Sequence, residues 1–172
     1  MRIPSSLLEK GMEETLIQWV GTSAVHSNWC LLYRASDHQF SISKFHEKCA
    51  NHAQTLLIVK SGNSIFGGYT PVPWNAIQDG YLATTGSFLF SLANPFKDPP
   101  TVFTCKNTMH AMYINSMYGP AFGSGQDLAI TTTGGVYSNL GMAYRDSLSR
   151  GSRTFMGAAF SASCDYEVFG RC

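Results

Sequence analysis

Residues 55–70 read TLLIVKSGNSIFGGYT, and this stretch decides the fold class. Two short runs of β-branched, aromatic and aliphatic residues flank Ser61-Gly62-Asn63-Ser64. A glycine-asparagine centre between such runs is the chemistry of a tight hairpin, because these residues reach the positive φ angles that join antiparallel strands. Residue-level alternation then extends the pattern: 86–92, 101–105, 127–132, 135–144, 154–160 and 165–169 all have strand character. Proline and glycine make loops of 94–100 (NPFKDPP) and 118–125, while 110–118 suits a short helix or a loop packed on the core.

Upstream of the hairpin the period changes. Ser6-Leu7-Leu8-Glu9 has the form of a capping box, and Leu7/Leu8, Met12, Leu16 and Trp19/Val20 make an apolar stripe that Gly21 would end. This predicts a helix over about 5–20. Trp29–Tyr33 is an apolar run of strand length. A second helix follows over about 41–50, capped by Ser41, with Phe40 and Phe45 placed as a hydrophobic staple and Ile42, Phe45 and Cys49 as its buried face. Two helices and then many short strands give an α+β domain. With few helices available as parallel crossovers, the expected architecture is a two-sheet antiparallel β-sandwich flanked by two α-helices.

The chain has 172 residues, 44% hydrophobic and 13% charged, with a formal net charge of +1. That length suits one domain, and neither the net charge nor the dispersed basic residues make a phosphate-tracking surface, so nucleic acid is not expected as a partner. Five cysteines (Cys30, Cys49, Cys105, Cys164, Cys172) show no C-x-x-C pair and read as reduced thiols of a cytoplasmic protein. Charge at Glu9 and Lys10 interrupts any signal-peptide core, and no segment approaches the roughly 20 apolar residues of a membrane span. The chain reads as soluble, without membrane insertion.

Six separated pieces now fall in register: Trp29–Tyr33 with Arg34, Phe45-His46, Phe66-Gly67-Gly68 with Pro73-Trp74, Phe88-Leu89-Phe90, Phe122-Gly123 with 127–130 (DLAI), and Glu167-Val168-Phe169. Together they resemble the TLDc (TBC/LysM-associated) domain of the oxidation-resistance protein family, from about Ser6 to Phe169. The resemblance implies a single domain over 1–172, a β-sandwich with two flanking helices, and no established catalytic site. It also implies a protein partner, with the vacuolar proton-pumping ATPase as the pump that relatives bind and regulate, and a contribution to oxidative stress resistance.

Read residue by residue, the chemistry-bearing motifs are thin. His46 and Cys49 share a helix face, but Ala50 stands where a zincin's second histidine would be, and completing a metal site would need His26, His38, His52, His110 or distant cysteines. Gly123-Ser124-Gly125 lacks the third glycine and following helix of a nucleotide fingerprint. No metal, cofactor or catalytic residue is expected. Cys172 beside Arg171 is the thiol best placed for exposure, and a thiol-dependent antioxidant enzyme would need such a group. Glycine-marked turns on a rigid sandwich suit recognition. The expected partner-binding residues are Gly67, Gly68, Gly123, Gly125, Asp127 and Glu167. Glu167 is expected to face solvent opposite Val168, or to pair with Arg34, Arg145 or Arg153 if it faces inward. The alternative class is a carbohydrate- or small-ligand-binding defence module, using Tyr69, Trp74, Tyr81 or Tyr118 as stacking surfaces.

Overall fold

The computed structural model describes residues 2–21, 28–75 and 79–172; His26 lies outside them. Their order is α1 (Met12–Val20), β1 (Trp29–Arg34), α2 (Ile42–Cys49), β2 (Thr55–Ser61), β3 (Ser64–Thr70), β4 (Gly80–Leu82), β5 (Phe88–Ala93), β6 (Thr101–Thr104), β7 (Met112–Ile114), β8 (Ala121–Phe122), β9 (Leu128–Ile130), β10 (Val136–Tyr137), β11 (Phe160–Ser161) and β12 (Asp165–Arg171). Two antiparallel six-stranded sheets result, ordered β1-β12-β2-β3-β5-β6 and β11-β10-β9-β8-β7-β4. The α+β sandwich is as expected.

The hairpin forms around Gly62-Asn63, with Ser61 opposite Ser64 and Gly62 at φ +58°. Because side chains alternate along a strand, β2 feeds two cores at once. Leu57 and Val59 enter the space between the sheets, joined by Phe66, Leu89, Phe122, Ile130, Phe155 and Tyr166. Leu56 and Ile58 enter a second cluster with Tyr69, Phe90 and Phe169, and Ile3, Leu7 and Leu16 from the N-terminal segment belong to that cluster too. The first sheet is therefore apolar on both faces, and residues 3–20 cover one of them.

Local expectations divide. Ser41 caps α2 by accepting the Lys44 amide, and Phe45 and Cys49 are buried, as the pattern requires. Phe40 is exposed, at φ +57°, and a Cβ on Gly134 would lie 3.2 Å from its own. The first helix begins at Met12 rather than near Ser5, because Gly11 at φ +88° breaks the path and Ser6 is committed elsewhere. Only Val136–Tyr137 of 135–144 and Phe160–Ser161 around 154–160 are strands. The residues from Ser138 to Tyr144 instead wrap a carboxylate, described below. The ambiguous 110–118 stretch contains β7 between a short 3-10 turn and a loop.

Candidate partner-binding surface

Glu167 points away from Val168, as alternation dictates, but that direction is not solvent. It stands opposite Ile58 and Arg34 on the covered face of the first sheet and is fully buried. Of the three arginines considered, Arg34 pairs with it, Nε donating to Oε1 at 2.9 Å. Ser5 Oγ donates to Oε2, and Ser6 donates to Oε1 from both its amide (3.1 Å) and its hydroxyl (2.7 Å). A carboxylate withdrawn from water must be matched this fully. Ser5, and Ser6 of the apparent capping box, thus fasten the N-terminal segment to the sheet.

Asp127 is also fully buried rather than presented at a turn. Its Oδ2 accepts the amides of Gly141 (3.0 Å), Met142 (2.9 Å), Ala143 (3.1 Å) and Tyr144 (3.1 Å), and Oδ1 accepts Ala143 at 2.9 Å. Burial pushes the Asp127 carboxyl above the ordinary carboxylate range, and the amides pull it back. Gly123, at φ +90°, makes room for this group: a Cβ there would lie 2.6 Å from the Asp127 Cγ. Sequence reasoning missed that the amides of 141–144 bind the Asp127 carboxylate, because backbone amides carry no sequence signal.

Gly67 and Gly68 lie inside β3 at the centre of the first sheet, not in a loop, and both are buried. A Cβ on Gly67 would meet Phe90 Cζ at 2.8 Å and the Leu57 carbonyl carbon at 2.9 Å; one on Gly68 would meet Phe122 and Leu89 at 2.8 Å. They are close-approach glycines that let neighbouring side chains seat on the strand. Burial removes four expected contact residues, Gly67, Gly68, Asp127 and Glu167, from direct reach of a partner, and Gly123 is buried with them.

Gly125 alone of the six reaches the surface, half-buried. Its turn lies between two exposed side chains, Tyr81 and Met142. Tyr81 donates its hydroxyl to the Ser124 carbonyl (3.2 Å) and stands 45% exposed, with His110 and Tyr113 rings at 4.4 and 5.4 Å. On the other side Met142, 49% exposed, lies where a Gly125 Cβ would be 3.0 Å away. Exposed Met142 and Tyr81 thus flank half-buried Gly125, Ser124 and His110. Aromatic and methionine side chains on a rigid sheet edge are the composition of adaptable protein contacts.

The remaining chemical candidates are engaged separately. His46 Nε2 donates to the Tyr118 carbonyl at 2.8 Å, and Cys49 is buried, its thiol pushed up to about 12 by desolvation. Among the described residues, no three His, Cys, Asp or Glu side chains converge on a metal-sized site, and no helix is long and apolar enough to cross a membrane. Tyr69 is buried and stacked on Phe88, and Trp74 is buried, donating to Thr55. Neither is available to a sugar ring. The expectation of five reduced thiols also fails: Cys30 and Cys172 form a disulfide with Cα atoms 5.4 Å apart. The β1–β12 ladder sets this pairing, since Cys30 stands opposite Gly170.

The family model of the TLDc domain matches residues 1–169. The chain is also 32% identical over 87 residues to the GTPase-activating protein skywalker of Drosophila melanogaster, a stretch covering 45% of this chain and 15% of that protein.

Proposed function

The chain belongs to the TLDc domain family, and from that membership we propose that it is a non-catalytic protein-interaction domain of the cytoplasm. Its partner is a subunit of the vacuolar proton-pumping ATPase, and resistance to oxidative stress follows from regulating that pump. The resemblance supplies the partner. The observation that supports an interaction role is the Tyr81–Ser124–Gly125–Met142 surface, held beside a turn that the buried Asp127 fixes. The two buried carboxylates among the described residues are consumed by the fold: Asp127 by four backbone amides, Glu167 by Arg34 and two serines. The GTPase-activating activity named for the Drosophila protein stays with that protein, of which the matched stretch is a small share.

The test is affinity capture from cell extract with the parent and a Tyr81→Ser, Met142→Ser variant. Both positions are exposed, so the variant keeps its fold, which circular dichroism checks. Capture of pump subunits by the parent alone supports the reading. Capture by neither removes the ATPase, and equal capture by both removes this surface.

A further inference from the structure

We infer that Cys30 and Cys172 form a reversible thiol–disulfide latch, opened by a glutathione-class thiol, that controls how firmly the N-terminal segment covers the first sheet. Both cysteines are exposed. Their Cα atoms stand 5.4 Å apart, within the range a disulfide spans. The pair is held by the ladder itself: Trp29 opposes Arg171, Cys30 opposes Gly170, and the Cys172 amide donates to the Asn28 carbonyl at 3.1 Å. The sulfurs therefore stay adjacent when the bond opens, which favours closing it again. Exposed disulfides are the accessible ones for exchange, and in a reducing compartment such bonds are characteristically transient.

The other three thiols are poor competitors. Burial pushes Cys49 up to about 12 and Cys164 to about 11, and raises Cys105 as well, so they remain protonated where exchange proceeds through thiolates. In opening, one glutathione thiolate attacks a sulfur of the pair and displaces the other as thiolate, leaving a mixed disulfide. A second glutathione attacks that bond and leaves as oxidised glutathione. Two electrons and two protons pass from two thiols to the protein, which ends with two cysteine thiols; oxidised glutathione reverses the sequence.

The bond reaches the cover through Trp29. Its amide faces the Arg2 carbonyl (3.4 Å), its ring packs in the cluster that contains Ile3, Leu7 and Leu16, and the Arg171 guanidinium lies 4.6 Å over it. Each bonded cysteine is thus next in sequence to one member of the Trp29–Arg171 stack.

The experiment equilibrates the full chain in buffers of graded reduced-to-oxidised glutathione, traps thiols by alkylation and reads them by mass. A single reversible transition confined to Cys30 and Cys172 is expected, absent from Cys30→Ser and Cys172→Ser. Persistence of the bond in the most reducing buffer, failure to form it, or prior oxidation of Cys49, Cys105 or Cys164 overturns the latch. Hydrogen exchange on the two forms supplies the second readout. Reduction should lower Tm by roughly 10 °C and raise exchange at least tenfold more over residues 2–8 and 29–34 than over the second sheet. Unchanged exchange over residues 2–8 overturns the link to the cover.

Discussion

Gly123 leaves the space that the Asp127 carboxyl occupies: a Cβ at position 123 would lie 2.6 Å from Cγ and 2.9 Å from Cβ of the aspartate. The positive φ of Gly123 adds a second demand for glycine. Gly123→Ala should therefore cost at least about 3 kcal/mol in urea unfolding, since it combines overpacking with a strained backbone. The aspartate substitutions should rank. Asp127→Asn can keep its carbonyl oxygen where Oδ2 accepts four amides, exposing its NH2 only to Ala143, and should lose about 1–3 kcal/mol. Asp127→Ala orphans all four amides and should lose more than 4 kcal/mol. Equal losses for the two would mean that the amide cradle is not what the carboxyl stabilises.

Glu167 should behave as a clasp. Removing it leaves Arg34 without its buried partner and frees Ser5 and Ser6, so Glu167→Ala should cost about 3–5 kcal/mol. A Ser5→Ala, Ser6→Ala variant keeps the Arg34 pair but loses hydroxyl bonds to a charged acceptor, each worth about 1.5–3 kcal/mol. Its damage should be greatest at the segment itself: proteolysis within residues 2–11 speeds up, and the urea midpoint falls less than in Glu167→Ala. Global loss without faster cleavage would contradict the clasp.

Alkaline pH should destabilise the domain in a defined window. An unfolded cysteine titrates near 9, whereas buried Cys49 keeps its proton to about 12. Below the first value both states hold the proton and the contribution is constant. Between the two, unfolding releases a proton, so stability falls as pH rises, by about 4 kcal/mol for this group across the window. Buried Tyr144 and Tyr166, both raised by desolvation, act in the same direction at higher pH. Urea midpoints from pH 8 to 11 should fall steeply in the parent and less steeply in Cys49→Ala. Parallel curves would exclude Cys49.

What the sequence carried and what it hid separate along physical lines. The Gly62-Asn63 hairpin, the Ser41 cap and the buried Phe45–Cys49 face are local patterns, and each forms. The capping box at Ser6–Glu9 is equally local and loses, because a cap worth about 1 kcal/mol yields to a buried carboxylate 161 positions away. Alternation correctly aimed Glu167 opposite Val168, but only the folded chain shows that the outer face is roofed by Ile3 and Leu7. The glycines stand out along the chain, but as expected contacts rather than as the close approaches that Gly67, Gly68 and Gly123 make. Their neighbours, an aromatic ring for Gly68 and a carboxyl for Gly123, are set by tertiary packing and have no signature along the chain.

Gly67 and Gly68 provide the sharpest test of that distinction, because they are adjacent in one strand yet face opposite cores. A methyl on Gly68 enters the sandwich against the Phe122 ring and Leu89 side chain, both at 2.8 Å, where side chains can shift. A methyl on Gly67 meets the Leu57 carbonyl of the neighbouring strand as well as Phe90, and a ladder carbonyl cannot yield without breaking sheet bonds. Gly68→Ala should therefore lose about 1–3 kcal/mol by overpacking, and Gly67→Ala distinctly more. Shrinking the obstructing side chain should discriminate further. Phe122→Leu, though itself destabilising, should reduce the extra cost of Gly68→Ala in a double-mutant cycle, whereas Phe90→Leu should do little for Gly67→Ala, since the backbone clash remains. Equal rescue at the two positions would show that both glycines answer to side-chain volume alone.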